Sequence, residues 1–216
     1  MTLLAIFSDV HGNVRNLEYT LNCLQSRGVD GYLQLGDLGA EPLPLLDGLP
    51  VQHTFGNWEV SRLSHFPSER QPTIAAWPAL ISGETWVASH ATPAFPEQCI
   101  DLASTQRFMA EQKPRWMQLF PSLLHDEAAI WSAIATLEEQ DKLVAFHGHT
   151  HVQAVQRFGQ DNRLRRISGP LVDFPPGTRT LIGVGSVGVP RDGSALRCVL
   201  FDTEAGEAEL LAIPSP

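Results

Sequence analysis

Three imidazoles fall within five residues in His147-Gly148-His149-Thr150-His151, in a chain that holds only eight histidines. An imidazole is mostly neutral at pH 7, so a charged surface would not select it. Nitrogens this dense suit a metal, provided that other segments bring oxygen ligands to the same place. Such donors recur along the chain: Asp9 and His11 in Ser8-Asp9-Val10-His11-Gly12-Asn13, Asp37 after Gly36, Asn57 after Gly56, and His90 after Ser89. Asp9, His11, Asp37, Asn57, His90, His149 and His151 together offer two carboxylates, one amide and four imidazoles. That is too many for one tetrahedral zinc. It suits two divalent ions bridged by a carboxylate, with manganese the first expectation and iron, zinc, nickel or magnesium as alternatives. Two ions about 3.5–4 Å apart can clamp a phosphoryl group and generate a hydroxide between them. Asp37, between the early pair and the later donors, is the natural bridge.

The donors follow apolar strands. Leu3 to Phe7 precedes Asp9, Tyr32 to Leu35 precedes Asp37, Val51 to Phe55 precedes Asn57, Thr85 to Ala88 precedes His90, and Leu143 to Phe146 precedes the histidine cluster. In strand-helix-strand folds such strand ends line the functional crevice, so donors distant in sequence become neighbours. The pattern through Leu17, Leu21 and Leu24 predicts a helix ending near Gly28. Ile100 to Lys113 predicts another, broken by Pro114. Asp126 is the expected N-cap of a third, with Ile130, Ile134 and Leu137 turned inward and Trp131 alongside. After residue 151 the strand candidates are short: Val152 to Phe158, Leu164 to Ile167, Thr180 to Val184, Leu196 to Phe201 and Ala208 to Ile213. These predict a largely antiparallel C-terminal third, forming a second sheet packed on the first within one domain spanning 1–216.

The chain has 216 residues, 18% of them charged, and a formal net charge of −9. That balance disfavours a nucleic-acid backbone or an anionic membrane as a stable partner. A small phosphoester or nucleotide-like substrate is compatible, since bound metal supplies local positive charge. The start, MTLLAIFSDVHGN, lacks the basic leader of a signal peptide, and no apolar run reaches about 18 residues. Cys23, Cys99 and Cys198 are far apart and read as free thiols of a cytoplasmic protein. A homodimer through the C-terminal sheet is left open. His53, His65 and His125 read as ordinary surface or core histidines.

Five blocks in order resemble the calcineurin-like metallophosphoesterases, of the small bacterial and archaeal phosphodiesterase type: Asp9-Val10-His11 with Gly12-Asn13, Gly36-Asp37, Gly56-Asn57 with Glu59, His90, and Gly148-His149-Thr150-His151. Gly185-Ser186-Val187-Gly188 and Pro190-Arg191-Asp192-Gly193 are similar to a late loop of that branch. The resemblance implies an α/β fold, a four-layer α-β-β-α sandwich with two mixed sheets between helices. It also implies one metal on Asp9, His11, Asp37 and His151, a second on Asp37, Asn57, His90 and His149, and a bridging hydroxide attacking phosphorus in line.

The chain departs from that family where a leaving-group histidine is expected between the Asn and the acidic residue. Trp58 stands there. An indole N–H can hydrogen-bond but gives up no proton near neutral pH, so alkoxide leaving groups should suffer more than aryl ones. This favours a phosphodiesterase over a nucleotide or phosphoprotein monoesterase. A metal-supported, non-enzymatic scaffold is the third alternative. Trp58 either stacks on substrate or packs at the rim. Arg191 either holds a phosphate oxygen or pairs with Asp192. His147 either supports a ligand or is simply a strand residue, the second being preferred. Asn13 is expected to cap the first helix or support a ligand. Phe95, Phe108, Trp116 and Phe120 either line an aromatic entrance or pack helices.

Overall fold

In the computed structural model, which describes residues 2–216, strand Leu3–Phe7 (β1) buries both of its faces. Leu4 and Ile6 enter one apolar cluster while Ala5 and Phe7 enter another. A period of two with neither face wet marks a sheet held between layers. Gly31–Leu35 (β2) and Val51–Thr54 (β3) add to it in parallel. Helix Val14–Gln25 (α1) makes the first crossover. Asn13 caps it by accepting the Asn16 N–H at 3.1 Å, and Leu17, Leu21 and Leu24 form its buried stripe.

The middle of the chain supplies Asn57–Arg62 (α2), Gln71–Ala75 (α3), Leu80–Ser82 (β4), Trp86–Ser89 (β5), Leu102–Gln112 (α4), Trp116–Leu119 (α5), Glu127–Glu139 (α6) and Val144–His147 (β6). Helix α4 stops where Lys113 turns left-handed, φ 48°, ahead of Pro114. Asp126 caps α6, whose Ile130, Ile134 and Leu137 are buried, whereas Trp131 is partly exposed. The last strands are Gln153–Phe158 (β7), Leu164–Ile167 (β8), Leu171–Asp173 (β9), Arg179–Val184 (β10), Leu196–Asp202 (β11) and Glu207–Ile213 (β12).

These last strands do not build a sheet of their own, which corrects the expectation drawn from their pattern. They divide: one sheet runs β3-β2-β1-β11-β12-β9 and the other β4-β5-β6-β10-β7-β8. The reason is edge pairing. The parallel trio would leave β1 with an open edge, and β6 would be left likewise; β11 covers the first antiparallel and β10 the second in parallel.

The inner faces of the two sheets meet through Ile6, Leu33, Val199 and Phe201 on one side and Phe146, Val155, Ile182 and Val184 on the other. Each such side chain contributes about 1.5–3 kcal/mol by leaving water. Helix α1 covers the outer face of the first sheet and α6 that of the second, where its apolar stripe meets Val87, Ala145 and Leu181. The architecture is therefore an α/β fold of two mixed sheets flanked by helices. Strands β1, β2, β3, β5 and β6 end along a shared rim, where Asp9 N–H donates to the Gly36 carbonyl and Gly148 N–H to the His90 carbonyl.

Candidate metal centre

The rim loops are held by a backbone lattice. Ser8 Oγ donates to the Leu35 carbonyl at 2.7 Å and His11 N–H to the Asp37 carbonyl at 2.9 Å. The late loop clasps the same turn: Val187 N–H donates to the Ser8 carbonyl, while Gly188 N–H and Ser186 Oγ donate to the Asp9 carbonyl at 3.0 and 2.7 Å. Glu59, fully buried on α2, accepts the N–H groups of Asp37 and Gly56 at 2.8 Å each and of Leu38 at 2.9 Å. Glu59 is thus the organiser of the Asp37 turn. Its motif was visible in sequence, but a carboxylate serving three amides was not.

Five of the candidate donors sit on left-handed backbone: Asp9, His11, Asp37, His149 and His151 have φ between 50° and 63°. Such residues cost on the order of 1–3 kcal/mol each and persist where the surroundings over-determine them, which is the signature of a functional site. Close approach fixes two glycines. A Cβ at Gly56 would lie 2.2 Å from Asp37 Oδ1, and one at Gly148 would lie 2.0 Å from Ser8 Oγ and 2.5 Å from Asp9 Oδ2. Gly148 therefore lets the histidine loop close over Asp9, whose Oδ2 accepts the His149 N–H at 2.9 Å.

Ligand atoms converge in two adjacent groups, Asp9, His11 and His151 in one and Asp9, Asp37 and His90 in the other, each with its atoms within 4.8 Å of one another. His151 Nδ1–H donates to the Val189 carbonyl at 2.7 Å and His90 Nδ1–H to the Leu35 carbonyl at 2.7 Å. Each ring therefore turns its Nε2 inward, the arrangement that orients metal-binding histidines. His151 Nε2 lies 3.0 Å from His11 Nε2 and 3.3 Å from Asp9 Oδ1. Asn57 Oδ1 faces His90 Nε2 at 3.1 Å and His149 Nδ1 at 3.0 Å. Asp9 is the carboxylate common to the two groups, beside Asp37, the bridge expected from the sequence. Asp37 also spans them, with Oδ2 at 3.7 Å from His11 Nε2 and Oδ1 at 3.6 Å from His90 Nε2.

The site fits divalent cations. Asp9 Oδ1 is buried and has no hydrogen-bond partner among the described residues, a costly state for a carboxylate oxygen unless a cation completes it. Burial works against ionisation of Asp9, yet the His11 and His151 imidazoles, with Nε2 at 3.7 and 3.3 Å from its Oδ1, hold its carboxyl well below the usual range. Asp37 goes the other way: burial, then the charges of Glu59 and Asp9, push it well above. Burial, joined by the charge of His90, lowers His149 to about 3, which keeps the ring neutral and its lone pair available. Carboxylates crowded together in a buried site are the donor set that positive charge would relieve.

A cleft of about 520 Å³ opens over this cluster, lined by His11, Asp37, Asn57, His149, Trp58 and Arg191, among others. The Arg62 guanidinium lies 4.0 Å over the Trp58 ring, and His11 meets that ring edge-on with centroids 4.3 Å apart. One indole face is therefore occupied by protein. Asp192 pairs with Arg197 at 3.1 Å rather than with Arg191, which stays exposed. His147 belongs to β6, buried, and burial takes its ring down to about 4. Phe95, Phe108 and Phe120 join the core cluster, Phe120 backing His90 and His149 at 5.8 and 6.2 Å, while Trp116 is partly exposed against Phe120. His125, read from sequence as an ordinary histidine, lines the cleft. Nothing in its local sequence marks it, because lining a cleft depends on contacts between distant segments.

The family model of the calcineurin-like phosphoesterase superfamily domain matches residues 1–206. The chain is 25% identical over 229 residues to the uncharacterized protein MJ0912 of Methanocaldococcus jannaschii, covering 98% of this chain and 87% of the relative. In fold it resembles a metallophosphoesterase from Sphaerobacter thermophilus, with a TM-score of 0.71 and 22% identity over 100% of this chain and 89% of the other. It also resembles a structure described as a novel archaeal phosphodiesterase, with a TM-score of 0.54 and 14% identity over 98% and 100% of the two chains.

Proposed function

The chain belongs to the calcineurin-like phosphoesterase superfamily, and on that premise we propose that it hydrolyses phosphate diesters with two divalent ions, manganese first among them. The unpartnered, buried Oδ1 of Asp9, facing two imidazole nitrogens, carries this reading. We assign one ion to Asp9, His11, Asp37 and His151 and the other to Asp37, Asn57, His90 and His149. When bound, such ions supply Lewis acidity toward phosphoryl oxygens and lower the pKa of a water. The protein's own part is to orient. The Val189 and Leu35 carbonyls fix the His151 and His90 rings, and Glu59 fixes the Asp37 turn. Arg191 reaches a non-bridging phosphate oxygen from the cleft wall. Trp58, held between Arg62 and His11, offers its remaining surface to an ester group.

One feature supports a diester. Trp58 stands where the family's leaving-group histidine is expected, and an indole gives up no proton at neutral pH. We also read 1–216 as one domain, because β11 and β12 complete the sheet that β1 begins. Cys23, Cys99 and Cys198 are all unpaired, which supports a reducing, cytoplasmic setting. No helix among the described residues is long and apolar enough to cross a membrane. The deciding experiment titrates metal-stripped protein with Mn²⁺ and follows bis-p-nitrophenyl phosphate and p-nitrophenyl phosphate side by side. Manganese-dependent turnover favouring the diester is expected. A clear preference for the monoester would reverse the assignment.

A further inference from the structure

Departure of the leaving group needs a proton wherever the alcohol is a weak acid, and the position at which the family supplies one is filled by Trp58. Arg62 covers one face of that indole and His11 abuts it edge-on. We propose that His125 supplies the proton instead, from the turn that precedes α6; the inference rests on the phosphodiesterase reading above.

His125 lies between α5 and α6 and lines the same cleft as His11, Asp37, Asn57, His149 and Arg191. A closed turn holds its backbone: the N–H groups of His125 and Asp126 both donate to the Ser122 carbonyl, at 3.2 and 2.9 Å. Asp126 then caps α6 by accepting the Ala129 N–H at 3.1 Å. The side chain is therefore presented from a fixed base rather than from a loose tip. Its ring differs from those of the other cleft histidines. His11 and His151 face each other, His151 also donates to Val189, and His149 meets Asn57. His125 has neither ring nitrogen engaged by protein among the described residues. An exposed, unengaged imidazole in the cleft wall is a side chain suited to acting as a general acid.

The step balances. A water oxygen forms the new bond to phosphorus and releases its proton to solvent. The bond between phosphorus and the leaving oxygen breaks, with its electron pair staying on that oxygen. The leaving oxygen takes a ring N–H proton from the His125 imidazolium, and the neutral ring regains a proton from solvent.

His125→Ala and His125→Gln, checked for unchanged metal content and melting temperature, test this against methyl p-nitrophenyl phosphate and methyl phenyl phosphate. Loss of a general acid should cost about 100-fold or more on the phenyl ester and only a few-fold, about 2–5, on the p-nitrophenyl ester. An equal loss on both esters would make His125 an anion contact and overturn the proposal, as would no loss on either. A second readout needs no turnover. In Zn²⁺-loaded, isotopically labelled protein, phenylphosphonate should shift the His125 ring resonances; unmoved resonances would overturn the proposal independently. Should the metal-loaded parent hydrolyse neither diester, the phosphodiesterase reading fails by itself, and the resonance experiment still decides whether His125 meets the group on phosphorus.

Discussion

Replacing Glu59 by alanine removes one acceptor group that serves three amides. The Asp37, Leu38 and Gly56 N–H groups lie 2.8–2.9 Å from its two carboxylate oxygens, and the side chain is fully buried. An orphaned buried donor costs about 1–3 kcal/mol, and hydrogen bonds to a charged group lie at the upper end. Three would sum to about 3–9 kcal/mol. Part returns because the buried carboxylate no longer needs desolvation, and its repulsion of Asp37 disappears. A net loss of about 3–5 kcal/mol is expected, which for a chain of this size lowers the melting temperature by about 6–20 °C. Glu59→Gln separates the contributions. Its single oxygen can take the place of Oε2 and keep the Asp37 and Gly56 bonds, losing only that to Leu38, so a loss of about 1–3 kcal/mol is expected. Thermal and urea unfolding of the metal-free proteins measure both. Because Asp37 loses its backbone anchor, Glu59→Ala should also weaken metal binding at least about 10-fold, a typical consequence of removing the support behind a ligand. A Glu59→Ala melting temperature within about 2 °C of the parent would refute the reasoning, since it would mean that water replaces the carboxylate without penalty.

Further outcomes follow from other residues. Gly148→Ala places a carbon within 2.5 Å of Asp9 Oδ2 and should abolish tight metal binding while destabilising the fold by several kcal/mol, read by calorimetry of both processes. Asp37→Asn relieves a carboxyl that burial and the charges of Glu59 and Asp9 hold well above its usual range. The metal-free variant should melt no lower than the parent at pH 8, yet lose most of the rise in melting temperature that Mn²⁺ gives the parent. His53 stacks on Trp77 with centroids 4.4 Å apart, and burial lowers its pKa from 6.5 to about 4. The unfolded chain therefore binds the proton first: the contribution of His53 is intact above about pH 6.5, is lost as pH falls toward 4, and amounts to about 2–3 kcal/mol. His53→Phe should remove that share of the pH dependence between pH 7.5 and 4.5 in urea titrations; an unchanged slope would contradict it.

Much of the site was legible because its logic is local. Each donor follows an apolar strand, and a strand end is visible wherever a run such as Leu3–Phe7 stops at a polar residue. The helix caps at Asn13 and Asp126 were legible for the same reason. What escaped depends on contacts between distant segments. The split of the C-terminal strands between sheets follows from which edges β1 and β6 leave open, and edges are properties of the assembled sheet. The three-residue strands β4 and β9 carry too little pattern to be seen. Arg62 over Trp58 is a contact four residues apart that becomes readable only once 57–62 is known to be helical. His125 lines the cleft from the turn between α5 and α6, and His53 stacks on a partner 24 residues away.

Metal stoichiometry at saturation is the measurement to make. Stripped protein dialysed against excess Mn²⁺, desalted and analysed by mass spectrometry should carry two ions per chain, and at least one should be lost in Asp9→Asn, whose Oδ1 has no other partner among the described residues. One ion or none in the parent, with the fold intact, would contradict the dinuclear centre on which the proposed chemistry depends.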